Sequence, residues 1–157
     1  MRYIFLLIVT LTFLRGDIHV FNRSSGTESE IKVLPNVKPI YVSAKDLGES
    51  FTSKIYENSE RRKLVLYISG SKVKVSGNSS YVIINDNAYQ MPQVTMVEDD
   101  DLYLPAEYFF EIIKGTILPG INFDSKKELL EIDIIRFNVT NISIDVKSNG
   151  TIIHLAT

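Results

Sequence analysis

The sequence predicts an α+β fold: twisted antiparallel sheet with two short helices, a pseudo-repeat of strand, helix and hairpin, and a separate C-terminal β-hairpin. Three observations carry this prediction. Short apolar runs alternate with polar residues at a period of two. Groups of Gly, Asn, Asp and Ser separate those runs. One arrangement of strand, helix and hairpin occurs twice along the chain.

In chain order, residues 24–30 are polar and contain Gly26, which reads as a turn or hairpin tip. Residues 31–34 and 39–42 read as short strands, the first closed by Pro35-Asn36. Ser43 is a good helix N-cap, because its hydroxyl can accept a free backbone N–H of the first turn. A short helix is expected from 44 to about 51, with Leu47 and Phe51 four apart on one face. Residues 62–68 read as a strong strand with Leu64, Leu66 and Ile68 on one side. Ser69-Gly70-Ser71 turns the chain into the alternating Lys72-Val73-Lys74-Val75. Residues 81–84 and 88–91 form a hairpin around Asn85-Asp86-Asn87, residue types that tolerate the left-handed turn conformation. After the acidic run Glu98-Asp99-Asp100-Asp101 comes the strand Leu102-Tyr103-Leu104. Pro105 is expected to open a helix at its first position, where a missing N–H costs nothing. That helix should stop at Gly115 and bury a stripe of Tyr108, Phe109, Ile112 and Ile113. A hairpin about 124–126 and a final one with Ser148-Asn149-Gly150 at its turn complete the reading.

The repeat pairs Tyr41-Val42-Ser43-Ala44-Lys45-Asp46-Leu47 with Tyr103-Leu104-Pro105-Ala106-Glu107-Tyr108-Phe109, each followed by a hairpin. Neither helix can bury its apolar stripe alone. Two such units sharing one twisted antiparallel sheet can.

Composition narrows the function. The 157 residues are 45% hydrophobic and 23% charged, which is a globular balance. Net charge is −2 with the two signs intermixed, so the basic footprint of a nucleic-acid binder is missing. There are no cysteines, which removes disulfides, thiolate nucleophiles and Cys-ligated metals. The two histidines, His19 and His154, stand at opposite ends of the chain and support no metal spacing. The acidic run 98–101 could be read as paired catalytic carboxylates or as a calcium loop. Four adjacent acids on a turn splay into water, however, and the run lacks the spaced acid pattern of a calcium loop. A solvated hairpin tip is the favoured reading. No catalytic residue, metal site or cofactor is therefore expected.

Residues 1–16 have the form of a signal peptide or N-terminal anchor. Arg2 supplies the basic start, an apolar stretch follows to Leu14, and Gly16 is the one small residue placed for cleavage. The apolar stretch is short of the roughly 20 residues that span a bilayer. Export to the periplasm or cell envelope is expected, with membrane contact only through this leader. Five Asn-x-Ser/Thr sequons, at Asn22, Asn78, Asn138, Asn141 and Asn149, read as compositional in a chain rich in Asn and Ser.

The two strand-to-helix joints, together with Lys72-Val73-Lys74-Val75, Tyr81-Val82-Ile83-Ile84-Asn85-Asp86 and Tyr89-Gln90-Met91-Pro92, resemble the copper amine oxidase N-terminal-like domain over residues 18–135. Residues 138–157 resemble the first hairpin of an AMIN domain. The order of leader, first domain and AMIN start is similar to the N-terminal part of bacterial N-acetylmuramoyl-L-alanine amidases. The resemblance implies an accessory region of a zinc-dependent amidase whose catalytic domain is absent from this chain. It implies no copper site, given two separated histidines and no cysteine. The function expected is a non-catalytic module that binds or targets peptidoglycan or another envelope component during cell-wall turnover. The alternative is an exported assembly or adhesion module without glycan binding. Tyr81 and Tyr89 are the candidate binding residues, set to stack on sugar rings; cross-strand packing is the competing reading of the same pair. The free edge of the last hairpin offers strand pairing to another chain. Nucleic acid is not an expected partner.

Overall fold

The computed structural model describes residues 16–51, 54–133, 141–148 and 150–156. The expected leader lies almost wholly outside them, as do residues 138–140 at the start of the AMIN-like stretch. The architecture is α+β: two helices among mostly antiparallel strands. Among the described residues, no helix is long and apolar enough to cross a membrane.

The repeat organises the fold. Strand β3 (Tyr41–Ser43) leads directly into helix α1 (Ala44–Ser50), and strand β10 (Asp101–Pro105) into helix α2 (Ala106–Thr116). The two joints pair with each other, antiparallel, in the register Tyr41↔Pro105, Val42↔Leu104 and Ser43↔Tyr103. Equivalent residues of the two repeats differ by 62 in number, so this register is self-complementary. A local two-fold axis passes between Val42 and Leu104, both fully buried. Strand β9 (Met96–Glu98) completes this three-stranded sheet on the far side of β10.

Each helix is then followed by its hairpin. The first is β4 (Ile55–Asn58) and β5 (Lys63–Ile68); β6 (Ser71–Ser76), β7 (Tyr81–Ile84) and β8 (Asn87–Gln90) extend it into a five-stranded meander. The second is β11 (Ile121–Asp124) and β12 (Leu129–Ile132), which joins β1 (Ile18–Asn22) and β2 (Thr27–Ile31) in the order β11-β12-β1-β2. The sequence leads to the expectation that the two units share one sheet, and they do not: their hairpins lie in different sheets. They share the small sheet at the dyad, and each sends its hairpin into a sheet of its own. The β1–β12 pair is parallel and brings together segments about 110 residues apart in number.

Two-residue turns with both residues at positive φ close three hairpins, at Ser69-Gly70, Asn85-Asp86 and Asp99-Asp100. Such turns match the right-handed twist of the flanking strands. The acidic run is thereby a hairpin tip, as read from the sequence. Its last member is tied down: Ser43 Oγ donates to the Asp101 carboxylate, while the same oxygen accepts the Asp46 N–H at 3.0 Å as the cap of α1. Lys45 Nζ donates to the Asp100 carbonyl at 2.7 Å.

The core runs through both units. Val42, Leu47, Leu64, Leu66, Val73 and Val82 are buried from the first, and Leu104, Phe109, Phe110, Ile113, Leu130 and Ile132 from the second. Full burial of each such side chain stabilises by roughly 1.5–3 kcal/mol. Pro105 differs from its expected place. It is the last residue of β10, paired with Tyr41, and α2 begins one residue later, where Ala106 N–H donates to the Ile40 carbonyl at 2.9 Å. The strand needs an extended residue there, and φ of −65° with ψ of 105° supplies it.

Helix α2 also runs through Gly115 rather than stopping at it. Gly115 is exposed, and a methyl group there would meet no atom within 4 Å. Replacing Gly115 by Ala is expected to raise stability by about 0.5–1 kcal/mol, since it reduces the backbone freedom of the unfolded chain at no cost in contacts. Urea denaturation of the single variant measures this; an unchanged or lower midpoint would contradict it.

The C-terminal hairpin, β13 (Asn141–Lys147) and β14 (Gly150–Ala156), pairs in the register Ile144↔Ile153 and Lys147↔Gly150. It forms a separate two-stranded sheet.

Candidate aromatic binding face

In the five-stranded meander one side of every strand packs on the core. Leu64, Leu66 and Ile68 of β5, Val73 and Val75 of β6, and Val82 and Ile84 of β7 are all buried. Strand alternation sends the intervening residues outward. The register sets them in rows across the sheet. One row reads Tyr56, Val65, Lys74, Ile83, Ala88 across all five strands. The next pairs Tyr67 with Lys72, and Tyr67 N–H donates to the Lys54 carbonyl at 3.2 Å, which puts Lys54 on the other flank of Tyr67.

Three tyrosines stand exposed on this side: Tyr56 at 58%, Tyr67 at 37% and Tyr81 at 48%. Tyr56 and Tyr67 are diagonal neighbours, with ring centroids 5.9 Å apart in an edge-to-face arrangement at 71°. Such a pair holds both rings in place at little further entropic cost, because each side chain has few rotatable bonds.

Of the two residues singled out from the sequence, Tyr81 lies on this face and Tyr89 does not. Tyr89 pairs with the buried Val82 and packs half-buried against the core. The two tyrosines are on opposite sides of the sheet and form no common platform. Tyr56 and Tyr67 were not among the residues singled out. Their signal was present in the period-two alternation of β5, where Leu64, Leu66 and Ile68 inward places Tyr67 outward.

Lysines accompany the tyrosines. Lys74 Nζ donates to the Asp86 carboxylate at 2.6 Å, and this bond holds the Asp86 carboxyl below its ordinary range. An ion pair so exposed adds little to stability, because water screens it.

Two shallow clefts are also present, the first bordering this sheet at Asn58 and Lys63. One, of about 110 Å³, is lined by Glu57, Arg62, Lys63 and Asp100 among others. The other, of about 400 Å³, lies between α2 and β11 and carries Glu107 and Glu111 one helical turn apart. Both of these glutamates face water. Neither is held dry against a partner, as an acid–base pair needs to be. Among the described residues no group of three or more His, Asp or Glu side chains could hold a metal ion. His19 Nε2 lies 3.9 Å from Glu28 on the neighbouring strand, and His154 is on β14. These donors do not fit a copper centre, which draws on converging imidazole, thiolate or carboxylate ligands.

The family model described as Copper amine oxidase N-terminal domain matches residues 24–127. That span contains both strand-to-helix joints and the whole tyrosine-bearing meander, and ends before β12. No curated protein and no solved structure matches the chain.

Proposed function

The chain belongs to the copper amine oxidase N-terminal domain family, and from that premise we propose that it is a non-catalytic module that binds peptidoglycan at the cell envelope. In this reading it is the accessory part of an N-acetylmuramoyl-L-alanine amidase, exported by its leader, with residues 138–157 as the start of an AMIN-type targeting segment. The observation that carries the reading is the outward side of the meander, where Tyr56, Tyr67 and Tyr81 stand exposed on a rigid sheet. A sugar ring presents an apolar C–H side edged by hydroxyls. An exposed tyrosine offers an apolar ring with a polar tip, which suits both. Sites built on strands hold such groups more accurately than loops do.

Retention of the purified chain on insoluble peptidoglycan tests the reading. Tyr67→Ala and Tyr81→Ala are each expected to weaken retention about tenfold, or about 1.4 kcal/mol, with melting unchanged because both rings are at the surface. Retention no greater than that of an unrelated protein of similar charge would reject the reading.

One observation favours the alternative, an assembly module. Ile144, Val146 and Ile153 lie on one side of the C-terminal hairpin and are largely exposed. An isolated two-stranded hairpin is marginal in water, and an apolar side of this kind marks an interaction surface. A monomeric mass by light scattering, at concentrations where peptidoglycan is retained, would remove self-assembly.

A further inference from the structure

The outward side of the meander also has a charge pattern. Lys54, Lys63, Lys72 and Lys74 all project there, by strand alternation and register, and the strand positions on that side include no Asp or Glu. At its rim stand Asp86, in the β7–β8 turn, which Lys74 engages, and Glu60, exposed in the β4–β5 turn. Among the described residues Lys54, Lys63 and Lys72 stand in no close ion pair, although Lys72 acts on the Asp86 carboxylate at longer range, and all three are exposed. This concentration stands out in a chain whose net charge is −2. The basic and aromatic groups also interleave. Tyr67 sits between Lys54 and Lys72 on adjacent strands, about 4.8 Å away on either side in backbone spacing.

Resting on the peptidoglycan reading above, we propose that this face selects an anionic glycan, a sugar chain bearing carboxylates at intervals. Tyrosine rings take the sugars, and Lys54, Lys63 and Lys72 take the carboxylates on either side of them. Neutral sugars alone would leave three ammonium groups beside the ligand without a counter-charge. A polyanion without sugars would leave the rings uncovered. Single-stranded nucleic acid also combines rings and charge, but its binders track the backbone with a basic groove. This face is the open side of a sheet, and the protein around it is net acidic.

The test is binding of the full chain to four probes of similar length: alginate, a carboxylate-bearing glycan; dextran, a neutral one; polyphosphate; and an oligonucleotide of mixed sequence. Alginate is expected to bind at least tenfold more tightly than the other three. Its affinity should fall several-fold when salt is raised from about 50 to 200 mM, because exposed charges are screened. The triple variant K54Q/K63Q/K72Q should lose about tenfold in alginate affinity with an unchanged melting curve. Y67A should lose alginate binding while leaving any polyphosphate binding as it was. Equal affinity for alginate and dextran would overturn the proposal, as would tighter binding of polyphosphate or oligonucleotide. Retention on peptidoglycan, measured in parallel, keeps the two readings apart. If it persists while alginate shows no preference, only the anionic selectivity fails. If it is lost altogether, the parent reading fails with it.

Discussion

Replacing Phe109 by Ala is expected to lower the stability of the domain by about 3–5 kcal/mol, enough to consume a large share of the roughly 5–15 kcal/mol that holds an ordinary domain folded. Phe109 is fully buried on α2. Its ring stands edge-to-face with Phe110 at 5.8 Å, and Phe110 in turn leans on Phe123 of β11 at 5.0 Å. Removing it leaves a cavity the size of a benzene ring at the point where the second helix meets the second hairpin. The strands around it are fixed by their hydrogen bonds, so the space cannot close fully. Urea denaturation gives the measurement. The midpoint should fall steeply while the slope stays constant, since the native fold and the surface exposed on unfolding are unchanged. Tyr81→Ala serves as control. It removes an aromatic ring of similar size from the surface and should shift the midpoint by no more than about 0.5 kcal/mol. If the two variants were equally stable, the division of the aromatics into core and binding face would be wrong.

The sequence showed the repeat clearly, because its signal is local. A strand, a capping serine or a proline, and an apolar stripe at helical spacing lie within ten residues of one another in both units. Less legible was what the units do in space. The dyad register of Tyr41-Val42-Ser43 against Tyr103-Leu104-Pro105 follows from a pairing over about 60 residues. The parallel match of His19-Val20-Phe21 to Leu129-Leu130-Glu131 spans still more. Strand β2 was hidden for another reason. Thr27-Glu28-Ser29-Glu30 is polar because β2 is a sheet edge with most of its side chains in water, so it reads as a turn. At the candidate site the difficulty was a single residue of register. A three-residue turn at Asn85-Asp86-Asn87 would set Tyr89 opposite Ile83, on the Tyr81 side. The actual turn has two residues, so Ile84 pairs with Asn87 and Tyr89 falls opposite Val82, on the core side. A shift of one position exchanges the two faces of a strand. Both residues fit either alignment by composition, and only the turn geometry decides between them.

The clearest contrast between local propensity and tertiary packing lies in two glycines five residues apart. At Gly115 alanine adds helix propensity and touches nothing. At Gly120, just before β11, the same methyl group would sit 1.9 Å from the backbone carbonyl oxygen of Asp133 and 2.9 Å from its carbonyl carbon. These atoms belong to the main chain at the end of β12, so no rotamer change can move them aside. The two segments must separate, and separation breaks the 3.0 Å bond from the Asp133 N–H to the Gly120 carbonyl. Overpacking costs about 1–3 kcal/mol and the hydrogen bond about 1 kcal/mol more. Gly120→Ala is therefore expected to destabilise by about 2–4 kcal/mol, opposite in sign to Gly115→Ala. Denaturant midpoints of both variants give the comparison. Amide exchange adds a local readout, because the Asp133 N–H should lose its protection in the Gly120 variant while the meander amides keep theirs apart from the global shift. A Gly120→Ala protein as stable as the parent would mean that β11 and β12 do not close against each other at this end. The second repeat would then lack the tight hairpin that lets α2 bury Phe109 and Phe110.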